Sequence, residues 1–196
     1  MIQKTPQPEM PAEHAILGLL MLDDGAGHGY DLARHFTDGQ PLATVLRLEA
    51  GMLYHHLKKL ARAGWVTSTV EPQGSRPPRQ IYRITPEGRA EVHRWLSEPV
   101  TKTREIRLEF LVKLYFAWRF NQRQAARLVA EQQETLRGLA ASLTDQMARV
   151  SSDGSAPREQ DAAFLRQVLA LRLAQTQAAI DWLEQLSATP PTDTMA

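Results

Sequence analysis

The spacing of apolar residues divides the chain into elements. From Ala12 to Leu22, the residues Ala15, Ile16, Leu19, Leu20 and Leu22 recur at helical intervals, which predicts a helix with Pro11 at its start. Asp23-Asp24-Gly25-Ala26-Gly27 ends it in a turn. A short helix over 29–36 follows, with Tyr30, Ala33 and Phe36 turned inward. After a turn at 37–41, Leu42 to Leu46 reads as a short strand or an extended connector, because two β-branched residues lie in it. Leu53, Leu57 and Leu60 then mark the buried side of a third helix over 49–63, closed by Gly64.

The period next changes to two. Trp65 to Val70 and Arg79 to Ile84 alternate as strands do, and the proline-rich stretch 71–78 between them reads as a loop, giving a β-hairpin with a basic tip. Thr85-Pro86-Glu87 carries the residues of a helix start, and a helix to Ser97 is expected. Beyond Pro99 only helical periodicity remains: Arg104–Phe120, a long helix from the cap Asn121 to Val150, a polar loop over 151–157, and a last helix Glu159–Leu186. Met1–Pro11 and residues 188–196 read as a loose arm and a tail.

The expected fold is therefore mainly α with a small β-hairpin. An N-terminal winged helix-turn-helix occupies 12–98, and a C-terminal all-helical domain occupies 99–187. In a winged helix the third helix enters the major groove and the hairpin reaches the neighbouring backbone or minor groove. Composition sharpens that picture. The chain has 196 residues, 43% hydrophobic and 23% charged, with a net charge of only +1. Yet Thr44–Arg94 holds nine lysines and arginines against four carboxylates. A local surplus of this kind suits phosphate neutralisation. The outward positions of the third helix are read as His55, His56, Lys58, Lys59 and Arg62, with Tyr54 near its start. Arg76 and Arg79 flank Pro77-Pro78 in the wing. The candidate DNA-binding residues are Tyr54, His55, Lys58, Lys59, Arg62, Arg76 and Arg79.

Four stretches, in this order, resemble the PadR family of transcriptional regulators. They are Ile16-Leu17-Gly18-Leu19-Leu20, Gly29-Tyr30-Asp31-Leu32, Gly51-Met52-Leu53-Tyr54-His55-His56-Leu57-Lys58-Lys59-Leu60 with Gly64, and Tyr82-Arg83-Ile84-Thr85-Pro86-Glu87-Gly88. The resemblance covers the first half of the chain. It implies a dimeric repressor with Tyr54 and the basic residues of its helix on DNA, and a C-terminal region used for dimerisation. Met52 departs from the pattern, which has a small hydroxyl residue there; it is read as a core or thymine-methyl contact.

In the second half, Val129, Leu136, Leu143 and Val150 recur every seven residues, a seam for a partner helix from the same chain or from another. The last helix is apolar on more than one face, so a second subunit is expected to cover part of it. Trp95, Tyr115 and Trp118 belong to an aromatic group read first as core packing, and alternatively as a pocket for a small aromatic effector.

Other chemistry finds no support. The chain has no cysteine, no His-x-x-x-His spacing, no Gly-x-Ser-x-Gly elbow and no phosphate-binding loop, so no metal, no cofactor and no enzymatic activity is expected. The start lacks the apolar run of a signal peptide, and the longest apolar stretch, 15–22, is far short of the roughly 20 residues a membrane span needs, so a cytoplasmic protein is expected. The function read here is a homodimeric repressor on a palindromic operator in double-stranded DNA. The alternative is a winged-helix interaction module without DNA affinity.

Overall fold

The computed structural model describes residues 11–73, 76–152 and 159–188. The expected arm before Pro11, most of the polar loop after Val150, and the tail lie outside the described residues. The architecture is mainly α with one small antiparallel sheet.

Helix α1 (Pro11–Leu22) starts at its proline, and every residue from Ala12 to Leu20 is buried. It is a central core helix, more enclosed than a one-faced reading implies. Asp24 and Gly25 take positive φ, 53° and 85°, to turn the chain out of it. Strand β1 (Ala26–His28) follows, an element that the sequence does not announce. It leads directly into α2 (Gly29–Arg34). Leu32 and Phe36 face the core. Tyr30 does not, contrary to expectation: it is 72% exposed, because two residues along a helix are about 200° apart and Leu32 holds the inward direction.

Residues Leu42–Thr44 form a 3₁₀ turn, not a strand or an extended connector. Pro41 already has helical φ and ψ, and the Thr44 hydroxyl donates to the Pro41 carbonyl at 2.7 Å, which outweighs β-branching. Helix α3 (Ala50–Arg62) buries Leu53, Leu57 and Leu60 as expected. Gly64, at φ 79°, closes it.

Strands β2 (Val66–Gln73) and β3 (Arg76–Ile84) form the hairpin, and the sheet order is β1-β3-β2. Both strands run further than the alternation predicts. The expected proline loop is mostly strand, with Pro72 at the register irregularity between Glu71 and Gln73, where a missing N–H is tolerated. Thr85 caps α4 (Pro86–Ser97), accepting at Oγ1 from the Gly88 N–H at 3.1 Å.

After Pro99 the predicted single helix is a continuous run with an irregular middle. It comprises α5 (Thr103–Glu105), a π-helical turn (Ile106–Phe110) and α6 (Leu111–Phe120). Asn121 Oδ1 accepts from the Arg123 and Gln124 N–H groups, at 2.8 and 3.3 Å, and so starts α7 (Gln122–Ser152). Helix α8 (Glu159–Ala188) packs antiparallel on it: Gln133 meets Ser187, and Arg137 meets Glu184. The seam residues Val129, Leu136 and Leu143 are buried along this pair, so the same chain supplies the partner helix.

One hydrophobic cluster spans both halves, from Ile16 and Leu20 through Phe110 and Phe116 to Leu136 and Leu183. Gly18 is a point of close approach. A Cβ there would stand 2.6 Å from the Phe116 ring. Gln132, fully buried on α7, accepts from the Val100 N–H at 2.7 Å and donates to the Val100 carbonyl at 2.8 Å. The linker after Pro99 is thereby fixed by a backbone-like pair of bonds.

Candidate nucleic-acid interface

Helix α3 separates its faces cleanly. Tyr54, His55, Lys58 and Arg62 are exposed, opposite the buried leucines. His56 is not outward as expected; it is 4% exposed, three residues from Leu53 and so on the leucine side. Its Nδ1 lies 3.1 Å from Glu13 Oε1 on α1. Lys59 Nζ meets the same oxygen at 2.9 Å. Glu13, 1% exposed, is thus a buried carboxylate paired from two sides by α3. Of the two lysines, Lys58 faces outward and Lys59 is tied down. Met52 is 47% exposed, which removes its core reading and leaves it on the outer face.

On the wing, Arg79 is exposed and sits opposite Glu71 in the register. Arg76 opens β3, and its side chain lies outside the described residues. Tyr54 and Arg79 come together in a cleft of about 600 Å³, lined also by His28, Gly29, Tyr30, Asp31 and Gln80. Gly29 shapes it: a Cβ there would fall 2.6 Å from the Tyr54 ring, so the bare backbone is the seat of that ring. Tyr82, behind it, donates from its hydroxyl to Gln80 Oε1 at 3.0 Å. Burial, with Tyr54 nearby, pushes the Tyr82 hydroxyl above its ordinary range. Tyr30 and Gln80 were missed in the sequence. The first was assigned to the core, and the second has no signal apart from its place in β3.

Trp95, Tyr115 and Trp118 stand in three different settings. The Trp95 ring is buried, stacked on His14 at 4.5 Å and 6°, with Lys113 Nζ 5.3 Å from its centroid. Its indole N–H donates to Glu109 at 3.0 Å. Tyr115 lies under Arg119 and beside Phe116. Trp118 borders a separate cavity of about 400 Å³ with Ala125, Val129 and Leu186. The His14 end is ionic as well as aromatic. His14 Nε2 lies 2.9 Å from Glu91 Oε1, and Arg94 donates to Glu91 from the solvent side. Burial holds His14 below its ordinary value despite Glu91. Burial alone would raise Glu91, but the hydrogen bonds from Arg94 and His14 prevail and hold it low. Burial also lowers Lys113, against the pull of Glu109.

Among the described residues no group of three His, Cys, Asp or Glu is placed to hold a metal ion, and no helix is long and apolar enough to cross a membrane.

The family model for PadR-like transcriptional regulators matches residues 16–94, and that for the virulence activator alpha C-terminal region matches 106–189. A probable transcriptional regulator of Mycobacterium tuberculosis is 31% identical, over 91% of this chain and 96% of the relative. The negative transcriptional regulator PadR of Bacillus subtilis is 31% identical over 61% of this chain and 64% of its own. The crystal structure of Bacillus subtilis PadR with operator DNA is 25% identical and covers 93% of this chain and 99% of that one, with a TM-score of 0.45.

Proposed function

Because this chain belongs to the PadR-like family of transcriptional regulators, we propose that it is a homodimeric repressor that reads a palindromic operator with α3 and the wing. The supporting observation is the segregation on α3. One side buries Leu53, Leu57 and Leu60, and the other presents Tyr54, His55, Lys58 and Arg62, with Tyr54 sharing a cleft with Arg79 of the wing. A helix anchored in this way can enter the major groove with its cations and polar tips outward. Lys59 takes part through Glu13, and Arg76 through the wing's charge.

The reading treats 12–98 as the DNA-binding unit and 99–187 as the dimerisation unit. It is supported by the apolar surface left on α8, where Phe164, Leu165 and Leu171 are 72%, 44% and 60% exposed. A second copy is the natural cover, and its two-fold symmetry matches a palindrome. The Trp118 cavity, at about 400 Å³, falls within the size range of small-ligand sites and is where we place a small aromatic effector.

Fluorescence anisotropy with the DNA upstream of the protein's own gene, at two salt concentrations and against unrelated DNA, tests the reading. Preferential binding that weakens steeply with salt is expected. Equal, weak binding to both duplexes would instead favour an interaction module that makes no use of DNA.

A further inference from the structure

The cleft between α2, α3 and the wing contains more than the recognition helix requires. Pairing of β1 with β3 stops at His28↔Ile81. Beyond it the chain turns away into α2, and Arg79 and Gln80 of β3 become one wall of the gap. Tyr54 forms another wall, seated on Gly29, and Tyr30 rises from α2 with 72% of its surface exposed. The Tyr82 hydroxyl, itself buried, donates to Gln80 Oε1. That bond commits the Gln80 carbonyl inward and leaves its two amide N–H groups for other partners. Besides the His28 imidazole and the Asp31 carboxylate, the lining then offers two phenolic hydroxyls, one carboxamide donor pair and one guanidinium. Hydroxyls, amides and a cation in one concave site suit an oxyanion. The position, between the helix that enters the groove and the wing that follows the backbone, supplies the source of that anion.

We infer that this cleft seats one backbone phosphate of the bound duplex, received by Tyr54, Tyr30 and Gln80, with Arg79 supplying the charge. The inference rests on the DNA-binding function proposed above. Gly29 acts as a positioning residue, since it holds the Tyr54 ring without meeting DNA. Asp31, the one carboxylate in the lining, opposes the phosphate. It lowers affinity for every duplex, so a phosphate is held only when the remaining contacts of the correct duplex hold it there.

The test uses the full chain and anisotropy titrations with the upstream duplex, with thermal melts to verify that each variant folds. Tyr30→Phe and Gln80→Ala should each weaken binding about two- to tenfold. Gly29→Ala should lose about as much as Tyr54→Ala, and the double variant no more than either alone. Asp31→Asn should tighten binding to operator and to unrelated DNA, more so to the unrelated DNA, and so narrow the gap between them. Replacing single phosphates by methylphosphonates should reveal one position per half-site that weakens the wild type and leaves Gln80→Ala unaffected. If Tyr30→Phe and Gln80→Ala bind like the wild type while Lys58→Ala weakens, the cleft holds no phosphate and the DNA-binding reading survives. If the wild type shows no preference for its own DNA and Lys58→Ala changes nothing, the DNA-binding reading fails, and this inference with it.

Discussion

Lys58 and Lys59 are neighbours in the chain and differ in what holds them. Lys58 is exposed on the outer face of α3, whereas Lys59 shares the buried Glu13 with His56. Their removal should therefore separate two quantities. Lys58→Ala is expected to reduce the slope of log affinity against log salt by about 0.9 and to leave the urea midpoint unchanged. Lys59→Ala removes one of the groups that meet the buried Glu13 and should cost about 1–3 kcal/mol of stability. Urea titrations alongside anisotropy check both; equal stability for the two variants would mean that Glu13 does not depend on Lys59. At this scale the sequence showed the charges and not their addresses. Glu13 stands out as an acid within an apolar helix, but its partners lie 43 and 46 positions away. His56 was assigned outward by its chemistry, although its three-residue spacing from Leu53 placed it with the leucines.

Elements with local signals were legible, and those made by tertiary pairing were not. Helices α3, α4 and α7 carry their caps and periodicities in the chain, and their bounds were read to within two residues. The three residues of β1 show no alternation and form a strand because β3 offers an edge. The prolines of the wing read as loop because their effect on the ladder depends on register, which a lone strand does not reveal. The joint of α1, α4 and α6 was equally hidden: His14 looks like an ordinary polar residue until Trp95 and Glu91 enclose it. That joint makes stability depend on pH. Burial keeps His14 neutral in the fold below its ordinary value of 6.5, where the unfolded chain takes up a proton. The contribution is full above 6.5 and is lost as the pH falls below it. Glu91, also held low, adds a loss of the same sign only below its ordinary 4.5. Melting temperature should fall between pH 7 and 5.5, and His14→Gln should flatten that fall. An unchanged slope in the variant would place the titration elsewhere.

Across the whole molecule, packing does not divide the chain near Pro99. The core cluster runs through it, and Gln132 holds the linker. The sequence separated the two halves by composition and connection, and gave no sign that α1 of the first half is buried against α6 of the second. The surplus apolar surface of α8 was legible, since it needs only the residues themselves. Phe164→Glu with Leu171→Glu should leave the melting temperature of the single chain nearly unchanged and convert the proposed dimer to a monomer in sedimentation. Affinity for a duplex with two half-sites should fall on the order of a hundredfold, while affinity for one half-site persists. The absent side chain of Gly18 acquires a mechanical meaning in such an assembly. With the Phe116 ring against bare backbone, there is no room at this point for a side chain between α1 and α6. In the proposed dimer two copies of α3 would act as the jaws of a caliper, and the distance between half-sites it accepts would be a length set by the long helices. An alanine at position 18 would open or close that caliper, and the operator spacing preferred by the protein would shift with it.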